Sequence, residues 1–295
     1  MNYLTEHWSF DPFVVIVAAL IVANEIGLHR LRARSLAQRA RSRRRRSFSL
    51  YGGLASLLVA IVSPLDYWSQ RYFFVHMIEH LLITFGAPAL IVFGAPWIPL
   101  MFVLPVGIRR RLGRAVLLSP RARPLRAFGR WLTNPWTALV SLNVAMVFWH
   151  LPTFYDAGES NSYVHVWLMH GSFVVTGVLF WLQIIPSRPF KRRASLVWQA
   201  GAIISTNVVM FVLAMALSIF SSSSWYTVYA HVPGATLPAF ADQQIGAAIL
   251  WVCGDFWALP ALIVVVRRIM TQEGSGSAAL ERFLGRSPVT EIRGV

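Results

Sequence analysis

Long apolar stretches alternate with short polar or basic connections along the whole chain. The apolar stretches cover approximately 12–29, 48–66, 72–93, 135–154, 162–185, 196–220 and 240–266. Each approaches the roughly 20 mostly apolar residues that a helix needs to cross a bilayer. The pattern predicts an all-α polytopic membrane protein, a bundle of seven transmembrane helices forming one membrane domain over 1–271. Beyond it, 272–295 contains Gly-Ser-Gly-Ser and no convincing periodicity, which predicts a mobile tail.

Composition agrees with the pattern. Of 295 residues, 56% are hydrophobic and 13% charged, against about 25% charged in soluble domains. No separate soluble domain remains once the apolar stretches are removed. The single cysteine, Cys253, allows no internal disulfide and reads as a small buried residue.

Charge supplies the orientation. The formal net charge is +15, and the basic residues gather in Arg30–Arg46, Arg109–Arg130, Arg188–Arg193 and the segment from Arg267 onward. With seven crossings these blocks share one side and only Arg71 falls opposite. By the positive-inside rule the N-terminus is outside and the C-terminus cytoplasmic. Basic loops beside a membrane attract anionic lipids, so topology and lipid account for the charge and no nucleic-acid partner is expected. The flanks of the first stretch, with Glu6 and Asp11 ahead of it, argue against a cleaved signal peptide. Prolines 88, 96, 99 and 105 break the connection after the third stretch, and Trp97–Leu104 is too short to span. Arg109, Arg110, Arg111 and Arg114, alternating with Leu112, Val116, Leu117 and Leu118, suit a helix lying on the inner leaflet.

The candidate chemistry lies at the opposite face. Six of the eight histidines, His76, His80, His150, His165, His170 and His231, fall where apolar stretches meet the outer side. His76 and His80 are four apart and share a helical face, a spacing suited to two imidazoles on one metal ion. Met146 and His150 repeat the spacing, as do His165 and Met169, while His170 lies about 140° round an α-helix from His165. Met77 adjoins His76, and Asp242 and Gln243 open the last stretch at the same depth. Ionisable groups inside a membrane are costly, so imidazoles delivered to one depth by several helices point to a metal or haem site. Imidazole suits copper, zinc or iron, and added thioether sulfur favours copper. Haem stays open through axial histidine ligation. His76-Met-Ile-Glu79-His80 also fits the H-x-x-E-H pattern of inverted zinc peptidases, where the glutamate acts as base.

Other polar residues lie deeper. Glu25, His29, Asp255, Asn143 and Asn207 read either as hydrogen bonds between helices or as a polar track for protons or ions.

His76 to Pro96, Phe148 to Asp156, the histidines of the fifth stretch and Asp242 to Trp251 together resemble the CtaG family of cytochrome c oxidase assembly factors, of the multi-span type. The similarity covers about 50–265 and departs at Ala247-Ala248, where glycine is expected. The resemblance implies a multi-pass protein of the bacterial plasma membrane, needed to build a haem–copper oxidase. It implies an oxidase subunit as partner and a role in supplying copper, with an extracytoplasmic copper carrier as a candidate donor. Spacing and depth, rather than the resemblance, make His76, His80, His150, His165, His170, Met77, Met146, Met169 and Asp242 the expected metal residues. No covalent catalysis is required, so a non-enzyme is expected. The rivals are an intramembrane zinc peptidase, a haem-binding redox protein and an assembly scaffold that binds no metal.

Overall fold

The computed structural model describes residues 6–9, 12–32, 37–190 and 194–272. Lys191–Arg193 and the expected mobile tail beyond Gln272 lie outside the described residues. Thirteen α-helices follow one another, and no strand occurs among the described residues. They are α1 (Phe13–Arg32), α2 (Ala37–Val62), α3 (Pro64–Ser69), α4 (Phe73–Leu81), α5 (Ala87–Gly94), α6 (Trp97–Phe102) and α7 (Val106–Leu117). The second half contains α8 (Arg123–Leu132), α9 (Pro135–His150), α10 (Pro152–Glu159), α11 (Gly171–Ile184), α12 (Leu196–Ser218) and α13 (Ala239–Gln272). A wide i→i+5 turn at Leu82–Gly86 joins α4 to α5, and another at Val164–His170 leads into α11.

Five helical stretches are long and apolar enough to cross a membrane: Pro12–Leu31, Phe73–Gly94, Val164–Ile184, Leu196–Ser218 and Ala239–Thr271. The pair α9 and α10 makes a sixth if counted as one span, although the chain bends 79° between them. The chain is therefore a multi-pass helical membrane protein, but the expected count of seven does not follow from helix length. The stretch 48–66 is the exception. Helix α2 starts inside the arginine block, and its apolar part runs only from Phe48 to Val62, short of the roughly 20 residues of a full span. It stops at Ser63-Pro64, where proline removes a backbone donor and the Ser63 hydroxyl accepts the Leu65 amide at 3.1 Å to start α3.

Local sequence sets the other boundaries too. Asn134 accepts the Trp136 amide at 2.9 Å with Pro135 in the first turn, and Ser195 accepts that of Trp198 at 3.1 Å. Ala95, in the left-handed region at φ 50°, ends α5 just before Pro96. Helix α13 shows how a lipid-facing helix differs from a soluble one. Val252, Phe256, Leu259 and Ile263 form an exposed apolar stripe, whereas Leu250, Ala258, Ala261 and Val265 face the bundle.

The α4–α5 rod is central, packing against α2, α11 and α13. Close approach there depends on small residues: a Cβ on Gly177 of α11 would run into the Thr84 carbonyl. The deeper polar residues join helices to one another. Tyr51 of α2 donates to Glu25 of α1, and Asn24 donates to Tyr51 at 2.9 Å. Asn143 donates to Thr206 at 3.1 Å, and Asn207 to Asp255 at 3.1 Å. Helices α7 and α8 bury no residue. On α8, Leu125, Phe128 and Trp131 share one exposed face, as a helix lying on a membrane surface requires.

Candidate metal centre

Helix α4 supplies His76 and His80 one turn apart, with ring centroids 4.0 Å from each other. Their nitrogens have no hydrogen-bond partner, and both rings are buried. His150 ends α9, because Leu151-Pro152 turns the chain there. Its Nδ1–H donates to the Met146 carbonyl at 2.6 Å, which fixes the tautomer and leaves Nε2 as an unpartnered lone pair.

The turn at Val164–His170 changes the expected register. In an α-helix His165 would share a face with Met169 and leave His170 well round the side. The i→i+5 turn instead brings residues five apart nearly into line, a device that recurs at functional sites. The Nε2 atoms of His165 and His170 lie 2.8 Å apart. The Met169 methyl fills the space beside Gly158.

Two carboxylates complete the cluster. The bend between α9 and α10 carries Glu159 inward, its Oε1 lying 3.0 Å from His165 Nδ1 and 3.3 Å from His76 Nδ1. Glu79, fully buried, lies 3.7 Å from His170 Nε2. Three sets have donor atoms all within 4.8 Å of one another: His76, His80 and His170; His76, Glu159 and His165; and Glu79, His165 and His170. A tetrahedral ion with bonds of about 2.0–2.1 Å has donor–donor edges of about 3.3–3.4 Å, close to the observed carboxylate–imidazole separations. Each buried polar atom without a partner costs about 1–3 kcal/mol, and those of His76, His80, His150 and His170 converge here. A shared cation would meet that need. The residues fit a small metal ion.

The other expected residues fall into different places. Met146 lines a void of about 10 Å³ together with His80, His150 and Phe173, the size of a single water or ion. Met77 is buried against Gly246 of α13. Asp242 is not among the three donor sets; its two oxygens accept the Phe73 and Phe74 amides at 2.7 and 3.0 Å, capping α4 just ahead of His76. His231 is exposed in the loop before α13.

Glu159 was not foreseen in the sequence. Its position in a short polar connection gave no sign that Pro152 restarts a helix aimed back at the histidines.

An aromatic roof closes the site at this end of the bundle. Tyr226 donates to the His150 carbonyl at 3.0 Å, and Tyr229 to that of Ser69 at 2.9 Å. Tyr155 lies 2.8 Å from the Tyr229 hydroxyl, with its ring beside His76 at 5.1 Å. Burial pushes both the Tyr226 and Tyr229 phenols above the usual range, so they remain proton donors. Asp156 accepts the Thr227 amide and hydroxyl at 3.1 and 2.6 Å, pinning this loop to α10.

Fold and site together define a multi-pass membrane protein with a buried imidazole–carboxylate centre at one end of its bundle. Residues 25–272 match the family described as cytochrome c oxidase caa3 assembly factor (Caa3_CtaG), and the chain belongs to that family. It is similar to uncharacterized protein Mb0105 of Mycobacterium bovis (strain ATCC BAA-935 / AF2122/97) and to uncharacterized protein MT0111 of Mycobacterium tuberculosis (strain CDC 1551 / Oshkosh). Each is 28% identical over 223 residues, covering 72% of this chain and 32% of the relative. The chain thus spans about a third of the length of these curated relatives. No solved structure matches.

Proposed function

We propose that the chain binds copper at this centre, on the outer side of the membrane, and passes it to a subunit of a haem–copper cytochrome c oxidase during assembly. The observation that carries the reading is the convergence of buried, unpartnered imidazole nitrogens from α4, α9 and the turn before α11. Copper is cargo, held by His76, His80 and neighbouring donors and released by ligand exchange. Imidazole with the Met146 thioether nearby suits copper, while zinc remains the competing small ion. A void of about 10 Å³ beside His80 and His150 favours an ion over a haem macrocycle. Glu79 serves as a donor beside His170 and not as a base facing a peptide, so the protein acts without catalysis. An extracytoplasmic carrier is the proposed copper donor.

The same arrangement supports an orientation. The cluster lies at the start of α4 and the end of α9, whereas the basic helices α7 and α8 lie between α6 and the start of α9. The cluster therefore sits at the bundle end away from the arginines. Counting α2–α3 as a short crossing and α9–α10 as a bent one restores seven passes, with the N-terminus outside, the C-terminus cytoplasmic and anionic lipid along α7 and α8. Membership of the family supports a bacterial plasma membrane as the location.

The test is oxidase copper content in cells whose own copy is replaced by the His76→Ala/His80→Ala variant. Oxidase subunits should accumulate with depleted copper. Normal copper content with the variant in place would refute copper delivery in favour of a metal-free scaffold.

A further inference from the structure

The donors outnumber what one ion can use. A zinc or copper ion of this kind takes about four protein donors, whereas five histidines and two glutamates gather here. They do not form one shell. Glu159 enters only the set with His76 and His165, His80 enters only the set with His76 and His170, His76 is the residue these two have in common, and the third set, Glu79 with His165 and His170, bridges them. His150 belongs to none of the sets, yet its unpartnered Nε2 and the His80 ring meet at the small void that Met146 also lines.

Depth separates the two ends. His80 lies four residues along α4 from His76, about 6 Å farther down the helix axis. Glu159 and His165 border the outer connection between α10 and the turn before α11. The Met146 thioether lines only the void at the inner end, whereas carboxylates stand at both, Glu159 beside His76 and His165 and Glu79 at 3.7 Å from His170.

The geometry points to two ion stations: an outer one at His76, Glu159 and His165, and an inner one at His80, His150 and His170. This rests on the copper reading above and deepens it. The two stations adjoin through His76 and through the His165–His170 contact of 2.8 Å. An ion stepping inward or outward can therefore hold one imidazole while it exchanges the others, and it is never released bare into the bundle. The step is ligand exchange alone, with no change of oxidation state.

The experiment loads the purified full-length protein with cupric ion, removes the excess by desalting, then counts copper per chain and records its EPR spectrum. Two ions per chain are expected, with dipolar broadening from their proximity. Glu159→Gln and His150→Gln should each retain one ion, lose the broadening, and differ from one another in spectrum. Elution profile and thermal stability establish that each variant is folded, and the wild-type count and coupling decide the matter even where one is not. One uncoupled ion in the wild type, or loss of all copper from either folded variant, overturns the two stations while leaving copper binding intact. A wild type that retains none overturns the copper reading itself.

Discussion

Asp242 separates a supporting role from a ligating one. Its carboxylate is buried and accepts two backbone amides, from Phe73 at 2.7 Å and Phe74 at 3.0 Å, where α4 begins. Asp242→Ala removes both acceptors. A lost helix cap costs about 0.5–2 kcal/mol, and a buried amide left unpaired costs about 1–3 kcal/mol. Phe73 is buried, so its amide bears the full cost, while Phe74 is half-buried and water relieves part of the second. The expected loss is about 2–4 kcal/mol, and Asp242→Asn, which keeps one carbonyl oxygen, should lose about half of it. Thermal unfolding of the purified variants in detergent reads the order wild type, Asn, Ala. Copper should still bind to the folded Ala variant, with lower affinity, because the turn bearing His76 and His80 is less well anchored. Unchanged stability together with abolished copper binding would refute the capping argument and make Asp242 a ligand.

Three further outcomes follow from the packing and the site. Glu79→Gln should weaken copper binding roughly tenfold or more by replacing a buried carboxyl donor with an amide, measured by competition with a chelator; a peptidase activity present in the wild type and absent from this variant would contradict the donor role. Gly177→Leu should lower thermal stability by about 1–3 kcal/mol, because the new side chain meets the Thr84 carbonyl, whereas Gly201→Ala, with open space around it, should be neutral or stabilising. Arg110→Gln/Arg111→Gln should reduce the number of anionic lipids retained by the purified protein in native mass spectrometry, each arginine contributing about 1 kcal/mol at a charged surface; unchanged retention would place that lipid elsewhere.

What was legible in the sequence divides along physical lines. Apolar length gave Phe73–Gly94, Val164–Ile184 and Leu196–Ser218 nearly to the residue, together with the start of the last helix, which runs on past the expected end to Gln272, since a lipid-facing helix is apolar almost all round. The same criterion finds no full-length span at 48–66, where the helix takes in arginines at one end and stops at Ser63 at the other. At the site, the His76–His80 pair was readable because α-helical spacing fixes its face. The His165–His170 pair was not, because α-helical arithmetic sends His170 aside and only the wider turn returns it. Glu159 was hidden for a related reason: its reach depends on a 79° bend after His150, which local sequence marks with Pro152 but does not orient. The methionines and Asp242 share the depth of the imidazoles, yet depth alone does not say which way a side chain points. Met77 and Met169 serve packing, and Asp242 serves the helix end.

Copper delivery requires a small ion held by histidines that separate helices bring within contact of each other. Elemental analysis of the purified wild type beside the His76→Ala/His80→Ala variant, both shown to be folded, addresses it most directly. Copper in stoichiometric amount in the wild type and its loss from the variant is the expected result. Equal metal content in the two proteins, or none in either after exposure to copper, would contradict it.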